Sequence, residues 1–173
     1  RIGQPARGED VDVPAIIDAA ASAYRPVRQA GTLTLTIDAG DAKRWRGDPT
    51  DLLRALGNLI DNALRYGASG DGVARIAVQA RAMPAGIALS VADQGAGVPP
   101  GQLERLVRPF ERLDTARGER GGAGLGLAIV ERIARRYGGQ LSLAAPPGGG
   151  LQVRLELPDL SEDPQDRRRT TVA

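Results

Sequence analysis

The stretch from Ile87 to Pro100, IALSVADQGAGVPP, constrains the fold more than any other. Alternation places Ile87, Leu89, Val91 and Asp93 on one face of a strand, three apolar side chains followed by an acid. An ionised carboxylate facing a core is costly unless hydrogen-bond donors meet it. Gly95 and Gly97 follow at once and leave a backbone with no side chains to hold a flat ligand away. A plain strand end with a D-x-G turn accounts for the same residues. The rest of the chain has to decide whether the acid has a partner.

A second element is equally well defined. Pro49–Tyr66 reads as a helix whose Leu52, Leu53, Leu56, Leu59, Ile60, Ala63 and Leu64 form one apolar stripe. At about 100° per residue, Asn58, Asn62 and Arg65 fall together on a different face. Asparagine is a poor interior helix residue because its amide competes for the backbone, so two of them one turn apart ask for a reason. Solvated or core-bonded amides are the plain alternative.

The remaining pattern is that of one domain of 173 residues. Arg1–Asp10 is polar and reads as a linker or the end of a preceding element. Asp12, Val13 and Pro14 open a helix that Pro26 ends or kinks. Leu33, Leu35 and Ile37 alternate with threonines as a half-buried strand, and Arg44–Gly47 reads as a short one. Val73–Arg81 and Gly86–Asp93 pair antiparallel across Pro84–Gly86. After a short helical stretch, Gly101–Val107, Arg108–Gly122 is a charged loop of a length that is usually functional. Ala123–Tyr137 is helical and stopped by Gly138–Gly139. Leu141–Leu143 and Leu151–Leu157 form a last hairpin, and Pro158–Ala173 is polar and expected to be disordered. Strands and helices do not alternate as in a doubly wound sheet. The order predicts a two-layer α/β sandwich, a mixed and mostly antiparallel sheet covered on one face by helices.

Composition prunes the chemistry. With no histidine and no cysteine, His-based catalysis, ordinary zinc sites and disulfides are excluded. Lys43 is the single lysine, so no P-loop exists and any nucleotide site must work without its lysine. A net charge of +2 with one Trp, three Tyr and one Phe gives little support to nucleic-acid binding through the arginine-rich tail. Glycines are concentrated at Gly121-Gly122-Ala123-Gly124-Leu125-Gly126, at the mouth of the last long helix, where free N–H groups bind phosphate. The spacing and the preceding charged loop differ from the Rossmann fingerprint.

The Asn58/Asn62 face, Asp93-x-Gly95-x-Gly97, Phe110-x-Arg112 and Gly122-x-Gly124-x-Gly126 occur in a fixed order. In NLIDNALRYG, DQGAGVPP, RPFERLD and GAGLGLAIV the chain resembles the N, G1, F and G2 boxes of sensor histidine kinases, with RYG and RPFERLD similar to the EnvZ-like branch. The resemblance runs from about Glu9 to Pro158 and implies the Bergerat ATP-binding fold of the GHKL superfamily. It implies that residues 1–8 are a linker from dimerisation and phosphoacceptor helices, 9–158 the catalytic domain and 159–173 a disordered tail. Carried over by position, Asp93 accepts the adenine amine, and Gly95 and Gly97 let the base approach. Asn62 holds Mg²⁺ with Asn58 in support, Arg65 meets phosphate and Tyr66 packs near the nucleotide. Phe110 and Arg112 belong to a lid over about Val98–Gly122, and Gly122, Gly124, Leu125 and Gly126 form the phosphate-binding stretch. The implied cofactors are ATP and Mg²⁺. The implied partners are the kinase's own dimerisation domain and a response regulator, with membrane contact only through an inner-membrane parent whose cytoplasmic part this is.

Two departures carry weight. Gyrase, MutL and heat-shock-chaperone relatives place Glu four residues before the metal Asn, where this chain has Asn58, so water activation is expected to be poor and transfer to a protein acceptor favoured. The chain also lacks the phosphoacceptor histidine, as an isolated catalytic domain would. An anti-sigma-factor serine kinase of the same fold and a nucleotide-sensing module without transfer activity remain the alternatives.

Overall fold

The computed structural model describes residues 8–98, 101, 103, 106 and 125–160. Five strands form one sheet in the order β2(Leu33–Asp38), β4(Ala74–Met83), β5(Gly86–Asp93), β7(Gln152–Pro158), β6(Gln140–Ala144). The β2–β4 pair is parallel and every other neighbour in this sheet is antiparallel. One face alternates Leu33, Leu35, Ile76, Val78, Ala80, Ile87, Leu89, Val91, Val153, Leu155 and Leu157, all buried. Helices α1(Val13–Ser22), α3(Pro49–Tyr66) and α4(Gly126–Arg136) supply the other half of this aliphatic core. The expected two-layer sandwich is what forms.

Helix α3 matches its expected bounds because its ends are written locally. Asp48 accepts from Thr50 N–H at 2.8 Å, Pro49 opens the first turn, and Gly67 follows the last. The buried stripe is Leu52, Ala55, Leu56, Leu59, Ile60 and Ala63. Leu53, expected within it, is 40% exposed, because at the stripe's margin it clears the sheet. Helix α4 begins at Gly126 with Leu125 at its N-cap, later than the expected Ala123. Its stop is a Schellman closure: Gly138 takes φ 70°, its N–H bonds to Arg135 O at 3.1 Å, and Gly139 N–H bonds to Ala134 O at 2.9 Å.

Three expectations change near the ends of the chain. Glu9 and Asp10, read as linker, belong to β1(Glu9–Asp12), which pairs antiparallel with β3(Arg44–Gly47) in a separate two-stranded sheet. Only Val11 of β1 is buried, and Arg44 reaches back to Asp10 at 3.0 Å, so the segment has no apolar alternation to betray it. Pro26 neither ends nor kinks the first helix. The chain breaks at Ala23–Tyr24, and Pro26 sits in the first turn of α2(Arg25–Gln29), where its missing N–H costs nothing. Asp159 and Leu160, read as the start of the tail, are held by Arg46: Arg46 N–H donates to Asp159 Oδ1 at 2.8 Å and Leu160 N–H to Arg46 O at 2.8 Å.

A polar knot fixes α3 against α4. Arg136 meets Asp51 Oδ2 at 2.6 Å, Tyr137 donates to the same oxygen at 2.9 Å, and Asp48 N–H donates to the Tyr137 hydroxyl at 3.1 Å. Burial pushes the Tyr137 phenol up to about 12, so it stays a donor at any ordinary pH. Its ring leans on buried Trp45 with centroids 4.9 Å apart. Tyr137→Phe removes two hydrogen bonds and leaves the Asp48 N–H without its acceptor. We expect a loss of about 1–2 kcal/mol in urea unfolding with an unchanged m-value.

Candidate functional site

The middle strand of the sheet, β5, ends in the acid. Asp93 is only 7% exposed and is the buried charged residue of the described core. Its N–H donates to Leu151 O at 3.0 Å, continuing the ladder toward β7. Its carboxylate Oδ1 accepts from Gly95 N–H at 2.9 Å and Leu151 N–H at 3.3 Å. Among the described residues both donors go to Oδ1. Burial pushes the carboxyl up from its ordinary range, and the two backbone donors oppose that rise.

Glycines crowd this acid from three segments. A Cβ on Gly67 would lie 2.5 Å from Asp93 Cβ and 2.7 Å from Asp93 Cγ. One on Gly95 would lie 2.6 Å from Gly67 Cα and 2.7 Å from Tyr66 O, and one on Gly150 would collide with Asp93 O. The bareness at Gly95 therefore lets β5 close on the end of α3, which is a different use from the clearance for a ligand inferred from sequence. Gly97 does turn with φ 77°, next to Gly150. Gly67, Gly150 and Leu151 were not among the expected site residues. Gly67 carried a weak signal, a glycine after a helix, but its φ of −97° shows that it is needed for space and not for conformation. Gly150 and Leu151 come from a hairpin 58 residues along the chain from Asp93, and nothing local marks them.

The asparagines of α3 lie off its buried stripe, with Asn58 toward the start of α4. Asn58 donates its amide to Arg54 O at 2.8 Å, and a Cβ on Gly126 would lie 3.5 Å from Asn58 Oδ1. Asn62 is half-buried, and among the described residues its amide has no hydrogen-bond partner. Arg65 and Tyr66 project from the last turn, Tyr66 with 41% exposure. Leu125 and Gly126 open α4, whose N-terminus lacks a side-chain cap and any acid in its first turn. By contrast α1 and α3 are capped by Asp12, which accepts from Ala15 N–H at 3.0 Å, and by Asp48. Uncapped N–H groups at a positive helix end suit an anion. Phe110, Arg112, Gly122 and Gly124 lie outside the described residues, as does most of the expected lid.

The family model described as histidine kinase-, DNA gyrase B- and HSP90-like ATPase matches residues 47–161. The chain belongs to this ATPase family. The sensor-like histidine kinase SenX3 of Mycobacterium tuberculosis is 36% identical over 165 residues, 95% of this chain and 40% of that protein. The sensor histidine kinase CpxA of Escherichia coli is 37% identical over 138 residues, 79% of this chain and 29% of that protein. Among solved structures, a mycobacterial sensor histidine kinase, MprB, superposes with a TM-score of 0.69 at 29% identity, covering 87% of this chain and 97% of that one. The catalytic domain of histidine kinase ThkA gives 0.76 at 20% identity, which speaks for the fold. The chain thus spans about two fifths or less of the curated relatives it matches and corresponds to their catalytic ATP-binding domain, with further domains making up the rest of those proteins. No described helix is long and apolar enough to cross a membrane.

The raised Asp93 carboxyl has a consequence for the empty protein. The folded state holds its proton to higher pH than the unfolded chain, so this group's contribution falls as pH rises from the unfolded value near 3.8 to the folded one, and is flat above. An amide keeps an oxygen for Gly95 and Leu151 without the buried charge. Asp93→Asn is therefore expected to remove this fall, and at pH 7 to be at least as stable as the wild type without nucleotide. Urea titrations of both proteins between pH 4 and 7 check it; a variant that loses stability at pH 7 would contradict it.

Proposed function

We propose that this chain binds Mg·ATP and delivers the γ-phosphoryl group to a histidine on a separate helical domain of the same intact kinase, for relay to an aspartate of a response regulator. The observation that carries the reading is the half-used carboxylate of Asp93, with both protein donors on Oδ1. Oδ2 is left for an outside donor, which the exocyclic amine of adenine supplies. Guanine would bring a carbonyl to that place, and two acceptors repel. Gly95 and Gly97 border this position, and Tyr66 offers an exposed ring at the end of α3.

The phosphate end follows from α3 and α4. The uncapped start of α4, with Gly122, Gly124, Leu125 and Gly126, donates backbone N–H groups to phosphate oxygens, and Arg65 adds a positive charge. Phe110 and Arg112 belong to the covering lid. Among the described residues no three acidic side chains gather into a metal-binding group, so a cation must draw most of its ligands from phosphate and water. The free amide oxygen of Asn62 fits a single protein ligand of that kind, with Asn58 beside it. A Mg²⁺ ion held by Asn62 would supply charge neutralisation for phosphoryl transfer. Asn58 cannot take a proton from water as a carboxylate would, which favours a protein acceptor over hydrolysis. The intact protein is read as a homodimeric sensor of the inner membrane with this domain on the cytoplasmic side.

Calorimetric titration with ADP, ATP and GTP, each with and without Mg²⁺, tests the reading. We expect adenine nucleotides to bind, GTP to bind poorly, and Mg²⁺ to strengthen ATP. Asp93→Asn should weaken adenine nucleotides by about 1–3 kcal/mol and relax the preference over GTP. Asn62→Ala should abolish the Mg²⁺ effect and transfer to an added histidine-bearing domain. Equal affinity for ATP and GTP in the wild type would sink the assignment.

A further inference from the structure

Helices α3 and α4 run antiparallel, and two contacts set their register. Asp51 meets Arg136 at 2.6 Å at one end, and Gly126 lies against Asn58 at the other. Arg54 stands three residues along the seven from Asp51 to Asn58, and Arg132 four residues along the ten from Arg136 to Gly126. With a constant rise per residue both lie about two fifths of the way along the seam. Arg54 is turned about 40° from Asn58, and Arg132 about 40° from Arg136, so both border the seam on its outer side. Both are exposed, and among the described residues neither guanidinium group makes a hydrogen bond or ion pair. The neighbouring arginines of α4 are used: Arg135 pairs with Glu131 at 2.6 Å and Arg136 with Asp51. Two exposed guanidinium groups without a carboxylate partner, on the same outer side of one seam, favour an anionic partner.

We propose that Arg54 and Arg132 form a docking pair for an acidic segment of the histidine-bearing domain. This rests on the kinase reading above. The pair lies one turn of α3 before Asn58, next to the proposed phosphate end, where an acceptor must approach to receive a phosphoryl group. Planar guanidinium forks on two rigid helices suit carboxylates and fix the direction of approach. The base of the nucleotide is not the occupant, because Asn58 and Asn62 separate Arg54 from the end of α3 that abuts Asp93.

The test uses this chain with the separately produced histidine-bearing domain of the intact kinase, comparing wild type with Arg54→Glu/Arg132→Glu and Arg54→Gln/Arg132→Gln. Binding is read by calorimetry on an acceptor domain whose histidine is replaced by alanine, and transfer by radiolabel. Charge reversal should weaken docking about tenfold or more, raise KM for the acceptor with little change in kcat, and flatten the salt dependence. ADP affinity should not move, and a Lys substitution in the acceptor's acidic segment should restore binding to the Glu variant. Unchanged docking, altered ADP affinity, or sensitivity only toward an isolated response regulator would each overturn the proposal. A wild type that docks through these arginines yet transfers nothing would refute the kinase reading while supporting the docking pair.

Discussion

A carboxylate at the end of the central strand, closed in on almost every side, is the constraint around which the rest of this structure is arranged. Asp93 sits where a hydrophobic side chain would cost nothing, and among the described residues two backbone N–H groups, from Gly95 and Leu151, offset its desolvation. Reaching those donors requires three chain segments to approach more closely than side chains permit. Gly67 at the end of α3, Gly95 after β5 and Gly150 before β7 meet that requirement together. An apolar residue at this position would relieve the burial cost, but would leave the site without its outward acceptor.

Helix α3 ties that local constraint to the rest of the domain. Its last turn abuts Asp93, its middle faces the start of α4 through Asn58, and its first turn is locked to the end of α4 through Asp51, Tyr137 and Arg136. Asp93, Asn58 and Asp51 are thereby tied to one helix whose buried stripe packs on the sheet. Caps divide the labour among the helices. Asp12 and Asp48 satisfy the N-termini of α1 and α3, whereas α4 presents its N–H groups without a side-chain acceptor. Among the described residues the start of α4 has no side-chain cap and the Asn62 amide has no partner.

Much of this was legible in the residues themselves because the signals are short-range. The 2-residue alternation of Ile87–Asp93 places the acid on the core face, and the apolar period of Pro49–Tyr66, with its Asp-Pro start, sets α3 to the residue. Gly138–Gly139 marks the end of α4 because a left-handed turn there excludes other residues. Where the reading failed, the cause was pairing at a distance. Glu9–Asp12 becomes a strand through its charged partners on β3, and Leu160 is ordered through Arg46. Leu53 leaves the core because the width of the buried stripe depends on what packs against it.

The sequence by itself determined the sandwich, the acid at the end of its middle strand, the asparagine face, and the glycine stop of the last helix, all of which follow from backbone periodicity and local capping. Only the tertiary structure decided which donors hold Asp93, that Gly67 and Gly150 leave no room beside it for a side chain, and that Asp51 of α3 meets Arg136 of α4. Those facts concern distances between segments far apart in the chain. Such distances are set by how whole elements pack, and no stretch of residues encodes them alone.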